Sequence, residues 1–551
     1  MKIFLLQESS DINYYKNVKN FKDTLVLPLS LSSLVQCHRN NFKYINPIGF
    51  IGQKFHKKNL LDSEKFKKNI IFKSKLKKFL KEEIIFYLSS RFNSVVFLRD
   101  LLISIEKKYK INKIYIPNKI YDQHEIDTFF LNEIFEYYLT KYDVIKINIT
   151  SNIVKEEKKK LFTYSIKNKI NNNKQNILLN DLGYNFKRII YLKIFKKINI
   201  YFLNENKINK IKYLVMNILK IYPINLEKRK KKILKYKYYA KINKNLLGKN
   251  FSKLFSIFLK KLNFHFEDYN EKAKTIKNFF LKNKFKLIIV NSLRETARLI
   301  LEAKGEKQKL LNVPHGTVSE SFTRYDKIYK DNIANSVVSR KSDYVAAQSK
   351  ISEKYFLKNK YNKTKIIKGN LIFSEVKQKS KNFILYAVTT KQFYNMHFLG
   401  VEMYYELFEN LKYLNKISKD NNFKIVVKLH PSESNNAKDL SKIFPNLHFS
   451  NLSLEKLLRK SFVTLSFSST VIEDSLNSRI PVILFDRWNR YKHCNVPNSD
   501  AKKFPIFYAS DKNKLLNCIK KVKKASDFDF KDIIFLEGFK KNLEKQILNL
   551  I

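Results

Sequence analysis

Glycine is what this sequence has least of, relative to need: nine residues in 551, against roughly 7% in ordinary proteins. Neither a G-x-G-x-x-G nor a G-x-x-x-x-G-K-[ST] segment occurs, which excludes the usual dinucleotide oxidoreductases and P-loop enzymes. The three cysteines, Cys37, Cys494 and Cys518, are too few and too scattered for a disulfide framework or a C-x-x-C metal site, and a reducing compartment is expected. No apolar run approaches the roughly 18 residues a membrane span needs. The opening MKIFLLQESSD turns polar too early for a secretory signal. The expected location is the cytoplasm, with peripheral contact at the inner membrane as an added expectation.

Acidic residues are also scarce: 49 Asp and Glu face 108 Lys and Arg, a formal charge of +59. Such a balance ordinarily points to nucleic acid or an anionic membrane. Here the excess is mostly Lys, spread along the chain among Asn, Ile, Phe and Tyr, as in proteins encoded by A+T-rich genomes. A solvated Lys-rich surface is the plain reading, attraction to anionic lipid the functional one, and no nucleic-acid partner is expected. With 44% hydrophobic residues the chain can build a core, and 551 residues exceed what one core organises.

Short apolar runs alternate with helical patterns, the mark of α/β architecture with mostly parallel sheets. In the first half the runs Lys2–Gln7, Thr24–Leu27, Lys113–Ile116, Asp143–Ile149 and Ile198–Leu203 read as strands, and Phe97–Lys108 as a helix. Lys155–Lys284 reads as basic, helical and irregular. A clearer series follows: strands Lys286–Asn291, Lys309–Val313, Asp343–Ala347 and Lys365–Lys368, with helices Leu293–Ala303 and Lys350–Lys358. Beyond a boundary near Gly369–Lys381 come strands Phe383–Val388, Lys424–Leu429, Phe462–Ser466 and Pro481–Phe485, and helices Glu402–Asn421, Leu454–Lys460 and Thr470–Asn477. The expected domains are 1–370, carrying a basic helical insertion at about 205–262, and 380–527, followed by a 528–551 helix that packs back on the first domain.

A composition this poor in glycine should keep it where φ > 0 or a ligand demands it. Gly316 and Gly369 both follow strand ends, where doubly wound folds bind ligands. Beside Gly316, His315 in Val-Pro-His-Gly-Thr is a candidate general base, although a lone loop histidine is as often structural. At the end of KIVVKLH stand Lys428, His430 and Pro431; His430 can offer an N–H to a phosphate, or simply cap the sheet. The third constellation is Ser468-Ser469-Thr470 ahead of an apolar helix, a hydroxyl-rich turn suited to an anion. Glu473 on the first turn of that helix could accept from ribose hydroxyls. The same pattern also serves as an ordinary helix cap.

The series PHG, KLHP and SFSSTVIEDSLNSRIPVI resembles the GT-B glycosyltransferases and related polymerases of bacterial surface polysaccharides. That group holds capsule Kdo transferases, polysialyltransferases and CDP-glycerol glycerophosphotransferases. The resemblance covers residues 286–490, with Arg479 where the family often has Gly. It implies a GT-B-like α/β fold, two Rossmann-like domains with parallel sheets facing a central cleft. It further implies a nucleotide-sugar donor bound by His430, Ser468, Ser469, Thr470 and Glu473, with Gly316, Gly369, Lys428 and Pro431 in support, and a glycan or lipid-linked acceptor activated by His315. No DxD-like pair occupies a strand-end loop of the C-terminal series, so an inverting, metal-independent transfer with no further cofactor is expected. A nucleotide-sugar 2-epimerase, a basic nucleic-acid-binding protein and a non-catalytic scaffold are the alternatives.

Overall fold

Twenty strands order the described residues: β1 (Lys2–Leu6), β2 (Thr24–Pro28), β3 (Ile70–Phe72), β4 (Lys113–Asn118), β5 (Asp143–Asn148), β6 (Leu161–Ile166), β7 (Asn176–Leu179), β8 (Asn199–Asn204), β9 (Ile221–Lys231), β10 (Ala240–Ile242), β11 (Leu287–Val290), β12 (Lys309–Asn312), β13 (Tyr344–Ala347), β14 (Lys365–Lys368), β15 (Phe383–Ala387), β16 (Ile425–Lys428), β17 (Leu447–Phe449), β18 (Ser461–Ser466), β19 (Val482–Phe485) and β20 (Ile506–Ala509). This computed structural model describes all residues except 7–8, 17–22, 119–142, 149–160, 169, 171–174, 183–197, 206–207, 232–238, 243–248, 360, 362–363, 390–401, 491, 495–502, 526 and 536–538.

The C-terminal sheet is wholly parallel with the order β17-β16-β15-β18-β19-β20. Renumbered from β15, that is 3-2-1-4-5-6, the doubly wound dinucleotide-fold order. The larger sheet runs β14-β13-β12-β11-β7-β8-β9-β6. It is parallel throughout except for the antiparallel edge strand β6, and from β7 it repeats the same winding. Each sheet therefore reverses its strand order once, between β15 and β18 and between β7 and β11. The α/β class with parallel Rossmann-like sheets stands as the sequence suggests. Within residues 1–370 the described strands nonetheless form three sheets, because β2-β1-β4-β5 make a separate parallel sheet and β10-β3 a small antiparallel pair.

Short four-residue strands such as β7 and β11 are buried along their whole length, as expected where helices cover both faces of a parallel sheet. One face of the large sheet, with Leu178, Ile288 and Leu310, shares a core with Ile3 and Leu5 of the first sheet and with Ile84 and Leu101 of the helix Lys78–Tyr109. The other face buries Ile177, Ile289 and Leu311 together with Ile547 and Leu550 from the chain's end. The last helix is shorter than expected, Phe539–Leu548, and Lys309 Nζ donates to the Leu550 carbonyl at 3.0 Å. The amphipathic helix Glu402–Asn421 matches its sequence reading residue for residue and presents Leu407, Leu411 and Leu414 to the C-terminal sheet. Against the same core lie Leu31, Leu34 and Val35 of the helix Leu31–Arg39, which belongs to the first sheet's body. Tyr405 Oη donates to the Pro28 carbonyl at 2.6 Å, and His38 stacks on Phe408.

The reading of Lys155–Lys284 as helical needs correction. The strand expected at Ile198–Leu203 is present as β8, but the described residues of the segment also hold β6, the central strand β7, the eleven-residue β9 and β10, as well as the helices Lys210–Ile218 and Lys249–Lys282. The insertion at 205–262 is accordingly helix, two strands and helix, with 206–207, 232–238 and 243–248 outside the described residues.

Candidate functional site

Ligands of doubly wound sheets settle where the strand order reverses, because the loops on either side leave in opposite directions and open a crevice. In the C-terminal sheet the reversal lies between the ends of β15 and β18, and the hydroxyl-rich turn is placed there. Ser466 Oγ donates to the Ala387 carbonyl at 2.8 Å, and the Ser468 backbone N–H donates to Thr389 Oγ1 at 3.0 Å. In the larger sheet the reversal lies between β7 and β11. There the Asn291 N–H donates to Asn180 Oδ1 at 3.0 Å, and His315 Nδ1 bonds the Asn291 carbonyl at 2.9 Å. A carbonyl can only accept, so Nδ1 carries the proton and the ring's lone pair belongs to Nε2 when His315 is neutral. His315 thus stands beside a reversal point with the tautomer a general base needs.

These two crevices are tied together. The Thr317 N–H, two residues past His315, donates to Glu473 Oε1 at 3.1 Å. The same oxygen is 2.8 Å from His493 Nε2, and His493 Nδ1 is 3.3 Å from Ser468 Oγ. Ser319 Oγ donates to the His493 carbonyl at 2.9 Å. The chain Thr317–Glu473–His493–Ser468 therefore crosses between the sheets at their carboxyl edges. Burial alone would raise the Glu473 carboxyl, but the His493 ring and the Thr317 N–H outweigh it, so its pKa lies below the ordinary value. Glu473 Oε2 is buried and has no hydrogen-bond partner among the described residues.

Other expected residues take different parts. Glu473 is turned into the protein between Thr317 and His493 rather than outward to a ribose, because two donors and burial hold it there. Thr470 occupies the cap position of the helix Val471–Asn477 without a side-chain cap bond, whereas Ser469 Oγ accepts from the Val471 N–H at 3.4 Å. That helix is only seven residues long, so its dipole is small. Lys428 is committed elsewhere, its ammonium donating to the Leu452 carbonyl at 2.8 Å. Gly316 does not use a positive φ, and a Cβ there would meet nothing within 4 Å. Gly369 does, with φ 140° after β14.

His430 lies on the same carboxyl edge, two strands from β18 and so about 10 Å away along the sheet. Its Nδ1 accepts from the Ser432 N–H and caps the short turn Pro431–Asn436, which leaves the ring proton on Nε2. The structure links the His315 loop to the Ser468 turn through Glu473 and His493, and it sets His430 on the same carboxyl edge. On that same turn the buried Glu433, which sequence reading passed over, is pushed up to about 7 by burial, against a bond from Asn436.

His493 and Asn180 are the other residues sequence reading missed. The first sits in a loop with no motif; its one signal is that histidine is rare here, nine in the chain. Beneath the Ser468 turn, Arg490 is fully buried with Nη2 2.6 Å from Glu406 Oε2 and Nε 3.0 Å from Asp486 Oδ1, and its guanidinium stacks 4.2 Å from the Phe467 ring. A cavity of about 220 Å³ opens next to it, lined by His56, Lys57, Tyr325, Asp326, Arg490 and Lys492. Burial, and then the Arg490 charge, hold His56 well below its ordinary pKa and therefore neutral.

No family model and no curated protein matches the sequence. Among solved structures, the UDP-GlcNAc 2-epimerase of Methanocaldococcus jannaschii is 15% identical, covers 68% of this chain and 99% of its own, and has a TM-score of 0.40. A glycosyltransferase of Rickettsia africae is 13% identical with 68% and 94% covered and a TM-score of 0.34. The wall teichoic acid polymerase TagF is 11% identical with 68% and 82% covered and a TM-score of 0.33. These likenesses are distant, and the chemistry has to be read from the chain's own geometry.

Proposed function

We propose that this protein is a glycosyltransferase that moves a sugar or polyol phosphate from a nucleotide-activated donor to a growing surface glycan. The supporting observation is the meeting of two strand-order reversals through Thr317, Glu473, His493 and Ser468. A two-substrate reaction needs two crevices face to face, one for the leaving nucleotide and one for the attacking hydroxyl.

In this reading the donor phosphates lie over the turn Ser468–Thr470, with His430 Nε2–H as a further donor from the neighbouring strand. Glu473 Oε1 fixes the His493 ring through Nε2, and His493 Nδ1 in turn holds the Ser468 hydroxyl in place, as a carboxylate behind a histidine does elsewhere. His315 accepts the acceptor's proton at Nε2 as the attacking oxygen bonds the donor's anomeric carbon, or the phosphorus of a polyol phosphate, and the bond from that atom to the leaving nucleotide phosphate oxygen breaks. Charge on the leaving group is met by side-chain donors already in place.

The test is a thermal-shift panel of CMP, CDP, UDP, GDP and ADP, followed by transfer from the matching nucleotide sugar. A ligand at a hundredfold excess over its Kd stabilises by about 2.7 kcal/mol, so one nucleotide should stand out. His315→Gln should keep that shift while transfer falls about a hundredfold or more. Conversion of UDP-N-acetylglucosamine without an acceptor would replace this proposal with the epimerase, and no shift with any nucleotide would end both.

A further inference from the structure

Helix Lys210–Ile218, which connects β8 to β9 on the far flank of the large sheet, is built the wrong way round for a globular protein. Ile211 is 74% exposed, Ile218 72%, Leu214 63% and Leu219 58%, with Tyr213 and Val215 also in solvent. Met216 is its one buried residue. Scattered exposed apolar residues need no explanation, but six in a stretch of nine form a contiguous patch of the kind that marks an interaction surface.

Charge identifies the partner. Lys210, Lys212 and Lys220 surround the apolar residues, and from Asn206 to Leu226 the sequence contains no Asp or Glu. An apolar protein partner would not select a cation-only rim, whereas an anionic bilayer rewards both halves of it: side chains enter the acyl boundary while ammonium groups stay among the headgroups. Among the described residues no helix is long and apolar enough to cross a membrane, so this is contact with a surface and not a span. The helix lies beside β8, three strands from β12, so a patch resting on lipid leaves the His315 crevice about 14 Å or more to the side along the sheet.

We infer that the helix Lys210–Ile218 with Leu219 and Lys220 is a membrane-docking surface for anionic lipid. The inference stands apart from the proposed transfer, since it needs no donor or acceptor. The experiment is flotation of the full-length protein with vesicles of phosphatidylcholine alone and of phosphatidylcholine with 30% phosphatidylglycerol. The protein should float with the anionic vesicles and not with the neutral ones. Leu214→Asp with Ile218→Asp should lower partitioning at least about tenfold, while Lys210→Gln, Lys212→Gln and Lys220→Gln should each lower it about fivefold. All five side chains are exposed, so circular dichroism and the melting temperature should not change, and that control separates lost docking from lost folding. Equal flotation of the Asp double variant would overturn the inference. So would a wild-type protein that ignores both vesicles, and a dimer in solution that the same double variant dissolves would assign the patch to a second copy.

Discussion

Replacing Arg490 by Met should remove the cation from beneath the Ser468 turn without changing side-chain volume much. Its side chain is wholly buried, Glu406 and Asp486 are 4% and 1% exposed, and all three depend on one another. Asp486 keeps two donors, the backbone N–H groups of Trp488 and Arg490. Glu406 loses its guanidinium, and burial already raises its pKa. Breaking a buried pair from one side typically costs about 3–5 kcal/mol, because the remaining charge stays uncompensated. For a domain of this size each kcal/mol moves Tm by about 2–4 °C, so the C-terminal unfolding transition should fall by about 6–20 °C. Differential scanning calorimetry measures it, and Arg490→Met with Glu406→Leu completes a cycle in which the second change recovers much of the loss. A shift under 2 °C, or a double variant no better than the single one, would refute the reasoning. Any nucleotide-dependent shift should also weaken in the single variant, since Phe467 rests on the guanidinium face.

Glu473 is held below its ordinary pKa in the folded protein, so its stabilising effect is complete above about pH 4.5 and is lost as pH falls through the lower folded value. Glu473→Gln should flatten that acid limb in a pH series of melting temperatures, and an unchanged limb would refute the assignment. Gly369→Ala forces a side chain onto φ 140° and should cost about 1–3 kcal/mol, read from denaturant midpoints. Lys428→Met should leave nucleotide shifts unaltered, because its ammonium is bound to the Leu452 carbonyl; a lost shift would return it to the donor site.

The four central strands of the C-terminal sheet were legible because they are continuous apolar runs, and its long helix because of a clean 3.6 period, as the agreement at Glu402–Asn421 shows, whereas the short edge strands β17 and β20 were missed. β9 was not legible, since IYPINLEKRKK carries a proline and a run of cations that resemble a solvated loop or helix. Missing β7 hid the first reversal point, and with it Asn180. Local sequence placed Ser468 and His315 at strand ends, yet Glu473 could not be oriented from its neighbours. Its partners lie 156 residues earlier and 20 later, and only tertiary packing brings Thr317 and His493 to the same oxygen.

The sharing of one hydrophobic core by Leu31, Leu34, Val35 and the helix Glu402–Asn421 bears on how the chain can be cut. A fragment beginning at residue 380 would keep every strand of the C-terminal sheet and still lack part of its interior, leaving the seat of those three side chains open to water. Proteolytic nicking between the two large sheets should therefore yield pieces that stay associated until denatured, and refolding should wait on the arrival of both chain ends.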